Sequence, residues 1–150
     1  MFDYIIVGAG SAGCVMANRL SKGPSHQILL LEAGGKDSNP LIQIPAGVAM
    51  LFAHEKLNWR YWTEPEPGLK NRKIYWPRGK VLGGCSSIHG MVHMRGNAED
   101  YNDWQRLGAD GWGWDDVFPY FQQIENYQDE SKDKEEGYRG TNGEMIVRNV

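Results

Sequence analysis

Three glycines and one carboxylate are the residues in this chain whose spacing does the most chemistry. Gly8, Gly10 and Gly13 fall within Gly8-Ala9-Gly10-Ser11-Ala12-Gly13, a G-x-G-x-x-G pattern, and Glu32 stands nineteen residues beyond Gly13. Gly8 permits a tight turn, Gly10 lets an anionic group approach bare backbone, and Gly13 lets a helix pack closely on a sheet. The free N–H groups of a helix opening at Ser11 and Ala12, with the helix dipole behind them, attract phosphate oxygens. A carboxylate at position 32 is placed to accept hydrogen bonds from ribose hydroxyls.

The elements that must hold these residues are legible on either side. Phe2-Asp3-Tyr4-Ile5-Ile6-Val7 is a β-branched and aromatic run that predicts a buried strand. Ser11 to Leu20 carries apolar residues at Ala12, Val15, Met16 and Leu20, a helical spacing, with small Ala17 toward the sheet. Ile28-Leu29-Leu30-Leu31 is a second strand, ending at the acid. Strand, glycine turn, helix, strand and acid follow in the order of a βαβ dinucleotide unit over residues 1–35. A bare G-x-G-x-x-G also occurs in glycine turns that bind nothing, so the reading rests on this full context. Glu32 would repel a 2′-phosphate, which favours FAD or NAD over NADP and leaves those two unresolved.

A second stretch, Pro77 to Asn97, packs Gly83, Gly84, Ser86, Ser87 and Gly90 together. Small residues with hydroxyls and free amides suit close approach to a large flat or anionic ligand better than an ordinary core. Cys14 and Cys85 match no metal or redox spacing, and Cys14 reads as a small buried filler. No metal-ligating set is predicted. His26 and His54 fall in loop contexts and are expected to face solvent.

Composition sets the outer bounds. The 150 residues are 41% hydrophobic and 23% charged with net charge −3, too little charge and of the wrong sign for nucleic-acid binding. No apolar run is long enough to span a bilayer. A strand starting at residue 2 with no preceding signal sequence predicts a mature, cytoplasmic N-terminus. Six Trp and seven Tyr imply apolar surfaces that something must cover.

Between and after the two glycine stretches, Leu41 to Phe52 has weak helical spacing. Asn58 to Glu64 and Lys73 to Trp76 predict a hairpin-like pair of strands. Ala98 to Leu107 predicts a helix capped by Asn97, and Trp112 to Phe121 a second helix with Asp115 as its cap. Asp129 to Glu136 reads as a solvated charged loop, and Gly143 to Arg148 as a closing strand.

Taken together these residues resemble the glucose–methanol–choline (GMC) oxidoreductases, in their choline and alcohol dehydrogenase branch. The likeness is carried by Asp3 to Gly13 with Leu31-Glu32-Ala33-Gly34, by Ile44-Pro45-Ala46-Gly47 and by Tyr61-Trp62-Thr63-Glu64-Pro65. Its most specific part is Pro77-Arg78-Gly79-Lys80-Val81-Leu82-Gly83-Gly84 through Arg95-Gly96-Asn97, which is similar to the family's first signature. The resemblance implies FAD, with the ADP half on Gly8, Gly10, Ser11 and Glu32, and the pyrophosphate and isoalloxazine end meeting Val81, Gly84, Ser87, His89, Gly90, Met91 and Val92. Ala12, Gly13, Ala33 and Arg78 are further cofactor-binding residues that it implies. It also implies hydride transfer from a choline-like or other primary alcohol to FAD, then onward to a quinone, another carrier or oxygen. A quinone acceptor would place the enzyme peripheral to the inner membrane.

The departures carry information too. Cys85 stands where Gly, Ser or Thr is usual, His89 where Asn is commoner, and His93 where Tyr is common. Relatives that bind flavin covalently through this segment have histidine one place before His89, where this chain has Ile88, so the expected FAD is non-covalent. The family's catalytic His-His or His-Asn pair lies in sequence beyond Val150, and no catalytic residue is assigned here. The fold class expected is α/β: the N-terminal part of a Rossmann-type FAD domain, incomplete on its own. Residues 77–97 would be its flavin loop, and about 140–150 the start of a strand leading toward the substrate domain. The alternatives are a truncated, non-catalytic dinucleotide-binding fragment and an NAD-dependent Rossmann protein, the latter disfavoured because it gives the second glycine loop no role.

Overall fold

The computed structural model describes residues 1–128 and 137–149 and divides the chain into two compact units, residues 1–92 and 93–150. The charged loop expected at 129–136 lies outside the described residues.

The first unit opens with the βαβ motif. Strand β1 (Tyr4–Val7) leads through the glycine turn into helix α1 (Ser11–Leu20), and β2 (Ile28–Leu31) returns parallel to β1 with Tyr4 opposite Ile28 and Val7 opposite Leu31. Gly8 takes φ +96°, a backbone that L side chains rarely adopt. At Gly13 the reason for glycine is contact: an added Cβ would strike the Gly8 carbonyl oxygen.

Two expectations need correcting here. In β1 only Ile6 is buried, and Ile5 and Val7 are 61% and 84% exposed. Among the described residues β1 pairs with β2 alone and α1 covers one face, so the other face has no cover. In α1 the half-buried positions are Gly13, Cys14, Ala17 and Leu20, while Val15 and Met16 are exposed. Cys14 is half-buried rather than buried, and its thiol donates to the Ala9 carbonyl at 3.3 Å.

Residues 40–53 form α2 (Pro40–Gln43), a 3₁₀ turn (Pro45–Gly47) and α3 (Val48–Ala53). Asn39 caps α2 by accepting from the Leu41 N–H at 2.9 Å. Helix α3 contributes Leu51 to the unit's small core, where it meets Leu57, Val81 and Ile88, with Leu41 and Ile42 packed alongside. Strands β3 (Tyr61–Trp62) and β4 (Tyr75–Trp76) form the expected antiparallel pair, with Tyr61 opposite Trp76. Trp59, Trp62 and Trp76 stay 40–62% exposed. Gly84–Ser87 forms a 3₁₀ turn.

The second unit holds α4 (Ala98–Arg106), α5 (Trp114–Ile124), β5 (Glu125–Tyr127) and β6 (Met145–Val147), with β5 parallel to β6. Asn97 caps α4 through the Glu99 N–H, as expected. The cap of α5 is Gly113 rather than Asp115. Asp116 accepts from the Gly113 N–H at 3.2 Å, which satisfies a free donor two residues earlier than the expected register. Tyr101, Trp114 and Phe121 pack between the two helices at centroid distances of 5.6–6.1 Å. Among the described residues, no helix is long and apolar enough to cross a membrane.

Candidate functional site

In the first unit the two glycine stretches meet backbone to backbone. The Gly83 N–H donates to the Ala9 carbonyl at 2.7 Å, and a Cβ on Gly84 would sit 2.8 Å from the Gly10 Cα. The loop after β2 completes the junction: the Leu82 N–H donates to the Gly35 carbonyl at 2.9 Å, and a Cβ on Gly34 would strike the Lys80 backbone. No side chain separates these segments, because none would fit.

Glu32 ties the junction together. Its Oε2 accepts from the Ala9 N–H and its Oε1 from the Gly34 N–H, each at 2.8 Å. The acid therefore grips both the glycine turn and its own loop. Each carboxylate oxygen keeps a second lone pair, so both remain able to accept from ribose hydroxyls.

Around this junction lies a pocket of about 630 Å³. Of the expected site residues, Gly8, Gly10, Glu32, Ala33, Arg78 and Gly84 line it. Gly10 opens onto free space, so the missing Cβ leaves room for a ligand. Ser11, Ala12 and Gly13 form the first turn of α1, where the N–H groups have no helical acceptor. Arg78 is exposed, its guanidinium lying over the Trp76 ring at 4.8 Å and donating to the Pro77 carbonyl.

The remaining expected residues are placed differently. Val81 is wholly buried in the core, and the Ser87 hydroxyl donates to the Leu82 carbonyl at 2.8 Å. His89, Gly90, Met91 and Val92 form an exposed loop. There the Met91 N–H donates to His89 Nδ1 at 2.9 Å, which puts the proton of the neutral ring on Nε2. His26 is exposed as expected, but His54 is not a free surface group. It is half-buried and its Nδ1 accepts from the Lys56 and Leu57 N–H groups, holding the turn after α3.

Sequence reasoning passed over Asn58, which is 2% exposed. Its amide N–H donates to the Phe52 carbonyl at 2.8 Å, while its Oδ1 accepts from the Arg60 and Arg78 N–H groups at 2.9 and 3.0 Å. Trp59, Tyr61 and Cys85 also line the pocket without having been expected there.

The second unit has a charged cluster of its own. Glu125 is fully buried, pairs with Arg95, and accepts from Arg139 at 3.0 Å and the Gly140 N–H at 3.1 Å. His93 Nε2 stands 3.8 Å from the same carboxylate, too far to donate. Burial, with Arg95 and Arg139 nearby, pushes the His93 pKa below its ordinary value, so the contact is between a carboxylate and a neutral ring. Among the described residues no group of three His, Cys, Asp or Glu side chains could hold a metal.

A bare backbone cradle, free helix N–H groups and an acid beside them are the features a dinucleotide requires. Residues 2–150 match the GMC oxidoreductase family. The chain belongs to that family. This GMC chain is 51% identical over 150 residues to an alcohol dehydrogenase [acceptor] of Pseudomonas putida, covering 100% of the chain and 27% of the relative. It is 52% identical over 146 residues to an oxygen-dependent choline dehydrogenase of Rhizobium rhizogenes, covering 97% and 26%. The structure of pyridoxine 4-oxidase from Mesorbium loti superimposes with a TM-score of 0.86 at 37% identity, over 97% of this chain and 28% of that one. The GMC chain thus spans about a quarter of the length of the curated relatives it matches. GMC oxidoreductases and its structural neighbours are FAD-dependent, and the residues of the junction fit that cofactor's ADP half.

Proposed function

We propose that this chain is the FAD-binding portion of an oxidoreductase that acts on a CH–OH group of a choline-like or other primary alcohol. The observation that carries the reading is the Gly10–Gly84 junction with Glu32 hydrogen-bonded into it. Bound FAD would supply the hydride acceptor. The chain's own residues bind and orient: the first turn of α1 offers N–H groups to the pyrophosphate, Glu32 takes the ribose hydroxyls, and Gly10 leaves room for the approach. Arg78 adds a positive charge without an acidic partner among the described hydrogen bonds. The loop from Ser87 through His89 to Val92 would lie toward the isoalloxazine, with His89 as a hydrogen-bonding rather than catalytic group. The proton-accepting residues of the reaction lie outside this chain, and the electrons pass on to a quinone, another carrier or oxygen.

The flavin is held without a covalent bond. Ile88 stands where covalent relatives carry histidine. A visible spectrum of the purified chain, repeated on the supernatant after acid precipitation, tests both statements. Flavin bands released to the supernatant are expected. Yellow colour in the pellet would overturn the non-covalent reading, and a colourless chain that also fails to bind added FAD would overturn the cofactor site.

A further inference from the structure

Asn58 lies opposite Gly79 in the same antiparallel register that pairs Tyr61 with Trp76. Between those two pairs the ladder breaks. Pro77 has no N–H to give, and Arg60 opposite it takes φ +56°, a left-handed backbone that a long side chain adopts at a cost. The Trp59 N–H still donates to the Arg78 carbonyl at 2.9 Å. In a regular ladder the Arg78 N–H would return to the Trp59 carbonyl. Here it donates to Asn58 Oδ1 at 3.0 Å, and the Arg60 N–H joins it at 2.9 Å. One side-chain oxygen takes the donors on both sides of the break. We infer that Asn58 is a positioning residue of the cofactor pocket: it fixes where the Arg78 side chain leaves the strand and so aims its guanidinium at the cofactor's phosphates. The inference rests on the dinucleotide reading of that pocket.

Arg78 is worth aiming. It is the one cation among the residues lining the pocket beside Glu32, whereas Lys80 lines a separate cavity of about 730 Å³. The Arg78 guanidinium rests over the Trp76 ring and donates to the Pro77 carbonyl, and among the described residues no carboxylate pairs with it. Its charge is open to an incoming anion, and a guanidinium fork matches phosphate oxygens. A side chain so lightly held takes its direction from its backbone.

Asn58 can hold that backbone because it is itself held. Its Nδ2 donates to the Phe52 carbonyl at 2.8 Å, the Tyr75 hydroxyl at 3.3 Å and the Leu51 carbonyl at 3.5 Å. Acceptors face the NH₂ and donors face the oxygen, which leaves the amide one orientation. Asn58 is 2% exposed, so water cannot take over from its oxygen. The same hold on Arg60 keeps the flanking Trp59 and Tyr61 rings stacked at 5.8 Å.

The test compares ADP with adenosine on the full chain by titration calorimetry, since only ADP carries phosphates. Arg78→Gln is expected to weaken ADP binding about tenfold, the size of one lost charge-assisted hydrogen bond, with adenosine as the control. Asn58→Ala should weaken ADP in the same way, spare adenosine, and add nothing further when combined with Arg78→Gln. Asn58→Asp keeps an acceptor for both N–H groups, so it should keep the wild-type ratio of ADP to adenosine affinity even where urea unfolding shows lower stability. A merely structural Asn58 would weaken both ligands together and add its loss to that of Arg78→Gln, and either result overturns the inference. A lowered ratio in Asn58→Asp would overturn it too, and that variant decides if Asn58→Ala does not fold. Unchanged ADP affinity in Arg78→Gln, with Glu32→Gln still weakened, would overturn the positioning role and spare the dinucleotide reading. No ADP binding by wild type would overturn both.

Discussion

A Cβ on Gly84 would sit 2.8 Å from the Gly10 Cα, yet a Cβ on Gly10 would meet nothing within 4 Å. Two glycines in contact therefore have opposite jobs. Gly84, at φ +58°, is required for the fold, whereas the fold leaves room for a side chain at Gly10, and the proposed approach of the cofactor is what would call for glycine there.

The contrast is measurable by mutation. Gly84→Ala forces both a left-handed alanine and a backbone clash, and should lower the free energy of unfolding by more than about 2 kcal/mol. Gly10→Ala should change stability by less than about 1 kcal/mol but weaken FAD binding by at least about tenfold, or ~1.4 kcal/mol. Urea unfolding and flavin titration of the two variants separate the outcomes.

Glu32→Gln keeps the shape of the side chain and removes half of its grip. An amide presents an oxygen to one of the Ala9 and Gly34 N–H groups and an NH₂ to the other, so one strong hydrogen bond becomes a donor facing a donor. A loss of about 1–3 kcal/mol in stability is expected, with weaker ADP binding in the same variant. Glu32→Asp, too short to reach both partners, should fare no better in the same titration.

Asn58→Ala removes five hydrogen bonds at a nearly inaccessible position and leaves the Arg60 and Arg78 N–H groups without their acceptor. Its cost should be about 2–4 kcal/mol. Because Arg60 depends on Asn58 for its backbone, the variant should also alter the near-ultraviolet circular dichroism of the Trp59–Tyr61 stack.

In the second unit, Glu125→Ala leaves Arg95, 3% exposed, without a counter-charge. A loss of about 3–5 kcal/mol is expected. His93 supplies the pH dependence. Its folded pKa lies below the unfolded value of about 6.5, so above that pH both states are neutral and stability is unaffected. As pH falls through the unfolded pKa toward the lower folded one, the unfolded state binds the proton first and stability declines. Urea midpoints between pH 8 and pH 5, compared with those of His93→Gln, should show a shallower decline in the variant.

The βαβ motif was legible because its signal is local: residues 4–31 contain the turn glycine, the helix periodicity and the acid in one short span. The Gly83-Gly84 stretch was read from its composition as a place of close backbone approach, but its docking on Gly10 was not legible, because it depends on contact between segments far apart in sequence. Asn58 gave no signal, since an isolated asparagine before an aromatic strand reads as a loop residue until its five partners are in place. Strand β5 was hidden for the same reason. Glu125-Asn126-Tyr127 has no strand pattern, and its place follows from pairing with β6 and from the buried charges around Glu125. The shift of the α5 cap from Asp115 to Gly113 reflects two acids in succession, either of which suits a first turn.

The backbone junction between Gly10 and Gly84 joins segments more than seventy positions apart, so the nucleotide pocket exists only when that whole span has folded. A ligand that recognises such a pocket binds the native state and ignores the unfolded one. At a free concentration one hundred times its dissociation constant it adds about 2.7 kcal/mol to stability. Flavin supply in the cell would then set how much of the protein survives proteolysis, and a shortage would be read first as lost abundance.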